Sequence, residues 1–106
     1  YVNQLNKFIQ HGGSRTSSLI EKLLFSALIE ARSCERFKLL SQEINDQELK
    51  QFYKNLMVSE AGHYKLFLDM ACNLGGKEKV LSRWEEWLKF EAEVMHSMEL
   101  RGDRIH

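Results

Sequence analysis

None of the 106 residues is proline. A proline ring fixes φ and removes a backbone donor, so it is the most dependable stop for a helix. Without it, this chain is interrupted only by glycine and by side-chain caps. Leu, Glu, Lys and Ala are abundant and β-branched clusters are few, so helix is favoured almost throughout and the expected class is all-α. Val2, Leu5, Phe8 and Ile9 recur at helical spacing until His11-Gly12-Gly13-Ser14, which predicts a short first helix ending near residue 11. Thr16, Ser17 or Ser18 can cap a second helix, with Ser18 and Glu21 at capping-box spacing, and this helix is expected to run to about Glu43. Asn45 with Glu48 repeats the signal for a third, which continues to Asn73-Leu74-Gly75-Gly76. Lys77 to about Leu100 forms the last, carrying Trp84, Trp87, Leu88, Glu91, Val94, Met95 and Met98, with its aromatic end expected across the preceding pair. The closing Arg101-Gly102-Asp103-Arg104 reads as a polar, frayed end without adhesive meaning.

The link between the second and third helices is so short that they must pack antiparallel. Their register follows from counting. Glu30 stands 13 residues before Glu43 and Glu60 stands 14 after Asp46, each roughly 20 Å of helical rise, so the two glutamates share one height. Helical angles agree: Leu23, Ala27, Glu30, Cys34, Phe37 and Ser41 form one stripe, and Leu49, Tyr53, Leu56, Glu60, His63, Tyr64, Phe67 and Ala71 form the facing one. Three ionisable groups are thereby expected inside an apolar seam. Glu35, about one and a half turns nearer the loop and on another face, is set aside as a first ligand.

Burying two carboxylates and an imidazole costs several kcal/mol unless cations, protons or a metal compensate. A divalent metal does this most economically, and carboxylate with imidazole suits iron or manganese better than a thiophilic metal. Di-iron carboxylate bundles build their centre from one Glu on each of two helices and a Glu-x-x-His on each of two others. Glu30 and Glu60-Ala61-Gly62-His63 are one copy of each element, half of such a site. The plainer alternative is a hydrogen-bonded core histidine with Glu60 as its partner, since Glu-x-x-His also arises by chance in helices.

Fifteen basic and fifteen acidic residues cancel, so a nucleic-acid partner would need a local patch rather than a global field. Lys7, His11, Arg15 and Lys22 form one candidate and Lys77, Lys79 and Arg83 another, although such runs are usually solvated faces. Cys34 and Cys72 lie among apolar helical positions without metal-type spacing and read as reduced packing residues. No apolar run is long enough to cross a membrane, and a soluble, cytoplasmic protein is expected. The length fits a single domain over 1–106. The chain opens in mid-pattern at Tyr1-Val2-Asn3, as the back portion of a longer protein would.

The stretch Phe25-Ser26-Ala27-Leu28-Ile29-Glu30-Ala31-Arg32-Ser33-Cys34-Glu35-Arg36-Phe37, followed by Ser59-Glu60-Ala61-Gly62-His63-Tyr64, resembles the MiaE family of tRNA hydroxylases. Both motifs, their spacing and the short capped connection agree, and the likeness covers nearly the whole chain as the C-terminal half of the family. The resemblance implies a ferritin-like di-iron four-helix bundle of which this chain supplies about half, an antiparallel helix pair with flanking helices. It implies a monooxygenase that uses O2 and an external electron donor to hydroxylate the isopentenyl group of 2-methylthio-isopentenyl adenosine, with the tRNA anticodon loop as partner. Glu30, Glu60 and His63 would then be both metal ligands and catalytic residues. The family's first-helix Glu and second-helix Glu-x-x-His have no counterpart here, so the site is completed either by a longer parent chain or between two copies in a homodimer. Tyr53 and Tyr64, on the ligand stripe, are candidates to hydrogen-bond a ligand carboxylate. Arg32 and Arg36 are candidates to pair with Glu35 or with a carboxylate on another helix. Two other classes remain: a ferritin-like iron-binding protein without RNA chemistry, and a metal-free helical interaction module.

Overall fold

A computed structural model describes residues 1–10 and 13–100 of the chain. It contains α1 (Val2–Asn6), α2 (Arg15–Glu43), α3 (Gln47–Gly75) and α4 (Lys77–Leu100), with no strand among the described residues. The first helix is shorter than its periodicity suggests. After Asn6 the chain continues in turns, with the Phe8 amide bonded to the Leu5 carbonyl and the Ile9 amide to Asn6. His11, Gly12 and residues 101–104 lie outside the described residues.

Both long helices are capped by residues just before or after the expected ones. Ser14, not Thr16, Ser17 or Ser18, caps α2 by accepting from the Ser17 amide at 3.0 Å. Asp46, not Asn45, caps α3, its Oδ1 accepting from the amides of Glu48 and Leu49 at 2.9 and 3.1 Å. A carboxylate at this position satisfies two orphan donors and meets the positive end of the helix dipole, which an amide does less well. Gly75 and Gly76 end α3. Gly76 adopts φ +88°, where a side chain would be strained, and a Cβ on Gly75 would stand 2.6 Å from Ile20 and 2.8 Å from Val80. Three helices therefore converge where only hydrogen fits.

The α2/α3 hairpin has the expected register. Phe37 stacks on Tyr53 with centroids 6.1 Å apart, and the Cys34 thiol donates to the Met57 carbonyl at 3.5 Å. Helix α4 returns alongside α2: the contacts Glu21 to Arg83, Phe25 to Trp87 and Arg32 to Glu91 climb both helices together. The core gathers at the Gly75 end. Leu24, Ala27 and Leu28 of α2, Ala71 of α3, and Val80, Trp84 and Trp87 of α4 are buried there, joined by Leu5 of α1. Trp87 is fully enclosed, with Phe8 against it edge-on at 4.9 Å and Phe25 at 6.0 Å.

The Cα trace measures 49 × 34 × 18 Å, two helix layers thick, and its radius of gyration of 15.7 Å exceeds the roughly 13 Å of a compact chain of this length. One side of the hairpin is packed against α1 and α4. The other is open, with Phe52, Leu66 and Met70 exposed.

Candidate metal centre

Glu30 on α2 and Glu60 and His63 on α3 come together near the middle of the hairpin, one ligating atom from each lying within 4.8 Å of the others. Antiparallel register sets the height, and the three-residue spacing places Glu60 and His63 on the same side of α3. His63 Nδ1 stands 3.8 Å from Glu30 Oε2 and 4.0 Å from Glu60 Oε2. Neither distance is a hydrogen bond. Glu30 Oε2 is buried and accepts none, so a carboxylate oxygen has been taken from water without a partner. The site is less enclosed than the seam predicted from periodicity: the His63 side chain is 53% exposed, against 26% for Glu30 and 21% for Glu60. Burial requires a covering layer, and α4 covers only the opposite side of the hairpin.

The two tyrosines of the stripe are packing residues. Tyr64 leans on Trp84 at 5.9 Å and Tyr53 lies between Phe37 and Phe52, with neither hydroxyl bonded to a site carboxylate. Glu35 is turned away from the cluster and pairs with Arg32. Arg32 also reaches across to α4, its Nε 2.9 Å from Glu91 Oε2. Glu91 in turn accepts from the Tyr1 hydroxyl; burial, this bond and the Glu91 charge push the Tyr1 phenol far above its usual range.

Arg83, grouped by sequence with Lys77 and Lys79 as a possible phosphate contact, is committed elsewhere. Its Nε and Nη2 donate to the two oxygens of Glu21 at 2.9 and 2.8 Å, Nη2 also to the Phe8 carbonyl at 3.0 Å, and Nη1 to Glu86 at 2.8 Å. The guanidinium lies 4.3 Å over the Phe8 ring. Burial pushes the Glu21 carboxyl up, but hydrogen bonds from Arg83 and the Gln10 amide, with the Arg83 charge, outweigh it and hold the group below 4.5. Glu21 is thus an ion-pair partner rather than a capping-box residue. Its recurrence with Leu24, Phe25 and Leu28 on one helical face was the available signal. The pair walls an open cleft of about 710 Å³ onto which Ser17, Ser18 and Lys79 also converge.

The family description tRNA-(MS[2]IO[6]A)-hydroxylase (MiaE) matches residues 1–106. The chain belongs to the MiaE family. Among curated MiaE relatives it is 41% identical over 79 residues to a Pseudomonas putida protein named tRNA 2-(methylsulfanyl)-N(6)-isopentenyladenosine(37) hydroxylase, covering 74% of this chain and 38% of that one. A Salmonella typhimurium relative of the same name is 39% identical over 89 residues, 84% of this chain and 32% of its own length. The chain thus spans about a third of the length of the curated MiaE relatives it matches. No solved structure matches it. The all-helical architecture agrees with the ferritin-like helical bundle of the MiaE family. No helix among the described residues is long and apolar enough to cross a membrane.

Proposed function

We propose that residues 1–106 form one domain, the C-terminal portion of a ferritin-like di-iron tRNA hydroxylase, and that Glu30, Glu60 and His63 are its metal ligands. The observation that carries this is the orphaned oxygen of Glu30, set beside a second carboxylate and an imidazole, with no Lys or Arg among the described residues paired to the cluster. In the Glu21 case the fold supplies an arginine; here the neighbours are a second carboxylate and an imidazole. The donor set of two carboxylates and one imidazole fits non-haem iron.

When bound, a pair of irons supplies activation of O2 and insertion of oxygen into an unactivated C–H bond, with electrons from an external donor. The chain's own residues bind and orient. Glu30 and Glu60 provide negative charge from two facing helices, and His63 a neutral donor one turn beyond Glu60. The substrate class follows the relatives' names: 2-methylthio-isopentenyl adenosine in tRNA, whose modified base must leave its stack in the anticodon loop to reach a helical bundle. Exposed Lys7, Arg15, Lys22, Lys77 and Lys79 offer phosphate contacts toward the Gly75 end. A cytoplasmic location accords with a tRNA substrate.

The test is incubation of the longer protein that contains this segment with ferrous iron, a reductant, O2 and tRNA bearing the modified adenosine, with digested nucleosides read by mass spectrometry. Gain of one oxygen on the isopentenyl group, lost with Glu60→Ala or His63→Ala, is the expected result. Iron bound and oxidised with an unchanged nucleoside would move the protein to the iron-handling class.

A further inference from the structure

We propose that Arg32 and Glu91 are positioning residues for Glu30, their ion pair fixing α2 against α4 at the height of the metal centre; this rests on Glu30, Glu60 and His63 being ligands. Two ion pairs tie α2 to α4 among the described residues. The first, Glu21 with Arg83, belongs to the Gly75 end. The second sets Arg32 Nε 2.9 Å from Glu91 Oε2, 11 residues farther along α2 and two past Glu30. That is roughly 16 Å of helical rise above the first tie. The hydrophobic core reaches less far, its last fully buried member on α2 being Leu28. At about 100° per residue, Arg32 stands roughly 200° round the helix from Glu30. The tie therefore holds α2 from behind while Glu30 faces α3.

The site needs such a hold. Carboxylate oxygens of Glu30 and Glu60 lie within 4.8 Å of one another, and like charges that close repel until a cation sits between them. The repulsion acts to part α2 from α3 just beyond the core. A metal site also binds tightly only when its donor atoms are held near their final places by the surrounding structure.

The Arg32–Glu91 pair is built to resist that parting. The Glu91 side chain is 6% exposed and that of Arg32 28%, so solvent screens their attraction little. The Tyr1 hydroxyl donates to the same Glu91 oxygen, which brings the segment before α1 to the same point. The other partner of Arg32, Glu35, lies on α2 itself and is 63% exposed, so it cannot fix one helix against another.

Anaerobic ferrous iron titration of the longer protein that contains this segment tests the assignment, with urea unfolding and circular dichroism of each variant alongside. Arg32→Gln and Glu91→Gln should each weaken iron binding on the order of tenfold. The two together should cost no more than either alone, because the pair acts as a unit. Arg32→Lys, which keeps the charge, should recover part of the loss. Arg83→Lys, which loosens the tie at the Gly75 end, should lower stability yet leave iron affinity unchanged. A merely structural role would make affinity follow stability instead, so an equal loss in Arg83→Lys overturns the proposal. Arg32→Gln or Glu91→Gln binding iron as tightly as the unaltered protein overturns it too, and leaves the ligand assignment standing. An unaltered protein that binds no iron, or whose binding is indifferent to Glu60→Ala, overturns the ligand assignment and this inference with it.

Discussion

Glu21 and Glu30 sit on the same face-rich helix, nine residues apart, and the fold treats them in opposite ways. Glu21 is buried with both oxygens held by Arg83, a third bond from the Gln10 amide, and an aromatic floor beneath the guanidinium. Glu30 has a buried oxygen with no donor, in the company of a second carboxylate and an imidazole. A buried carboxylate with its cation and hydrogen bonds is a finished structural element. One without them is a cost of folding unless something else completes it. The Gly75 end, where Trp87, Leu24 and Leu28 are fully enclosed, stabilises the chain; the middle of the hairpin, half open, is where the candidate ligands Glu30, Glu60 and His63 gather.

The largest expected effect is at the finished element. Arg83→Met strands a buried carboxylate and should cost about 3–5 kcal/mol in urea unfolding, since breaking such a pair costs more than the pair contributes. Glu30→Gln, in contrast, should leave the metal-free chain as stable as before or slightly more so. Equal losses in the two variants would erase the distinction. The pH dependence carries the same signature. Because the folded Glu21 carboxyl is held below its ordinary 4.5, its contribution is fully present above that value and is lost as pH falls through the depressed one. Acid titration of Arg83→Met should lack this loss.

Next in size is the effect on metal. Glu30→Gln, Glu60→Gln and His63→Ala should each weaken ferrous iron binding on the order of 100-fold or more, with far-UV circular dichroism unchanged. Glu35→Gln, one face away, should bind iron as the unaltered chain does. If it weakens binding as much as the others, the cluster has been drawn around the wrong carboxylate.

The smallest effects test the helix ends that hold the hairpin. Ser14→Ala and Asp46→Ala should each cost about 1 kcal/mol, whereas Ser18→Ala and Asn45→Ala should fall within about 0.5 kcal/mol of zero. The reverse pattern in thermal melts would return the caps to the residues first suggested by spacing.

What the sequence disclosed was what local chemistry determines. Absent proline, paired glycines and capping side chains place four helices, and a three-residue link between two 29-residue helices leaves only an antiparallel hairpin. Register then follows, which is why Glu30 and Glu60 could be set at one height by counting and why Phe37 meets Tyr53. Partnership and burial were not legible, because they depend on residues far away in the chain. Arg83 looked like one more surface cation beside Lys77 and Lys79 because nothing near it announces a carboxylate 62 positions earlier. His63 shares a stripe with Tyr64 and Phe67, yet it is half exposed, because a helical stripe is buried only where another layer covers it. Asp46 over Asn45 is a difference of one residue, within the ordinary play of helix boundaries, and turned on which side chain reached two amides at once.

The central claim is that Glu30, Glu60 and His63 hold metal. An anaerobic ferrous iron titration of the chain, with its optical spectrum recorded after O2 is admitted, tests it most directly. The account predicts specific iron binding to the chain, a change in the optical spectrum on oxidation, and loss of both in Glu60→Ala and His63→Ala. Absence of specific binding, or binding that survives both substitutions, would contradict it.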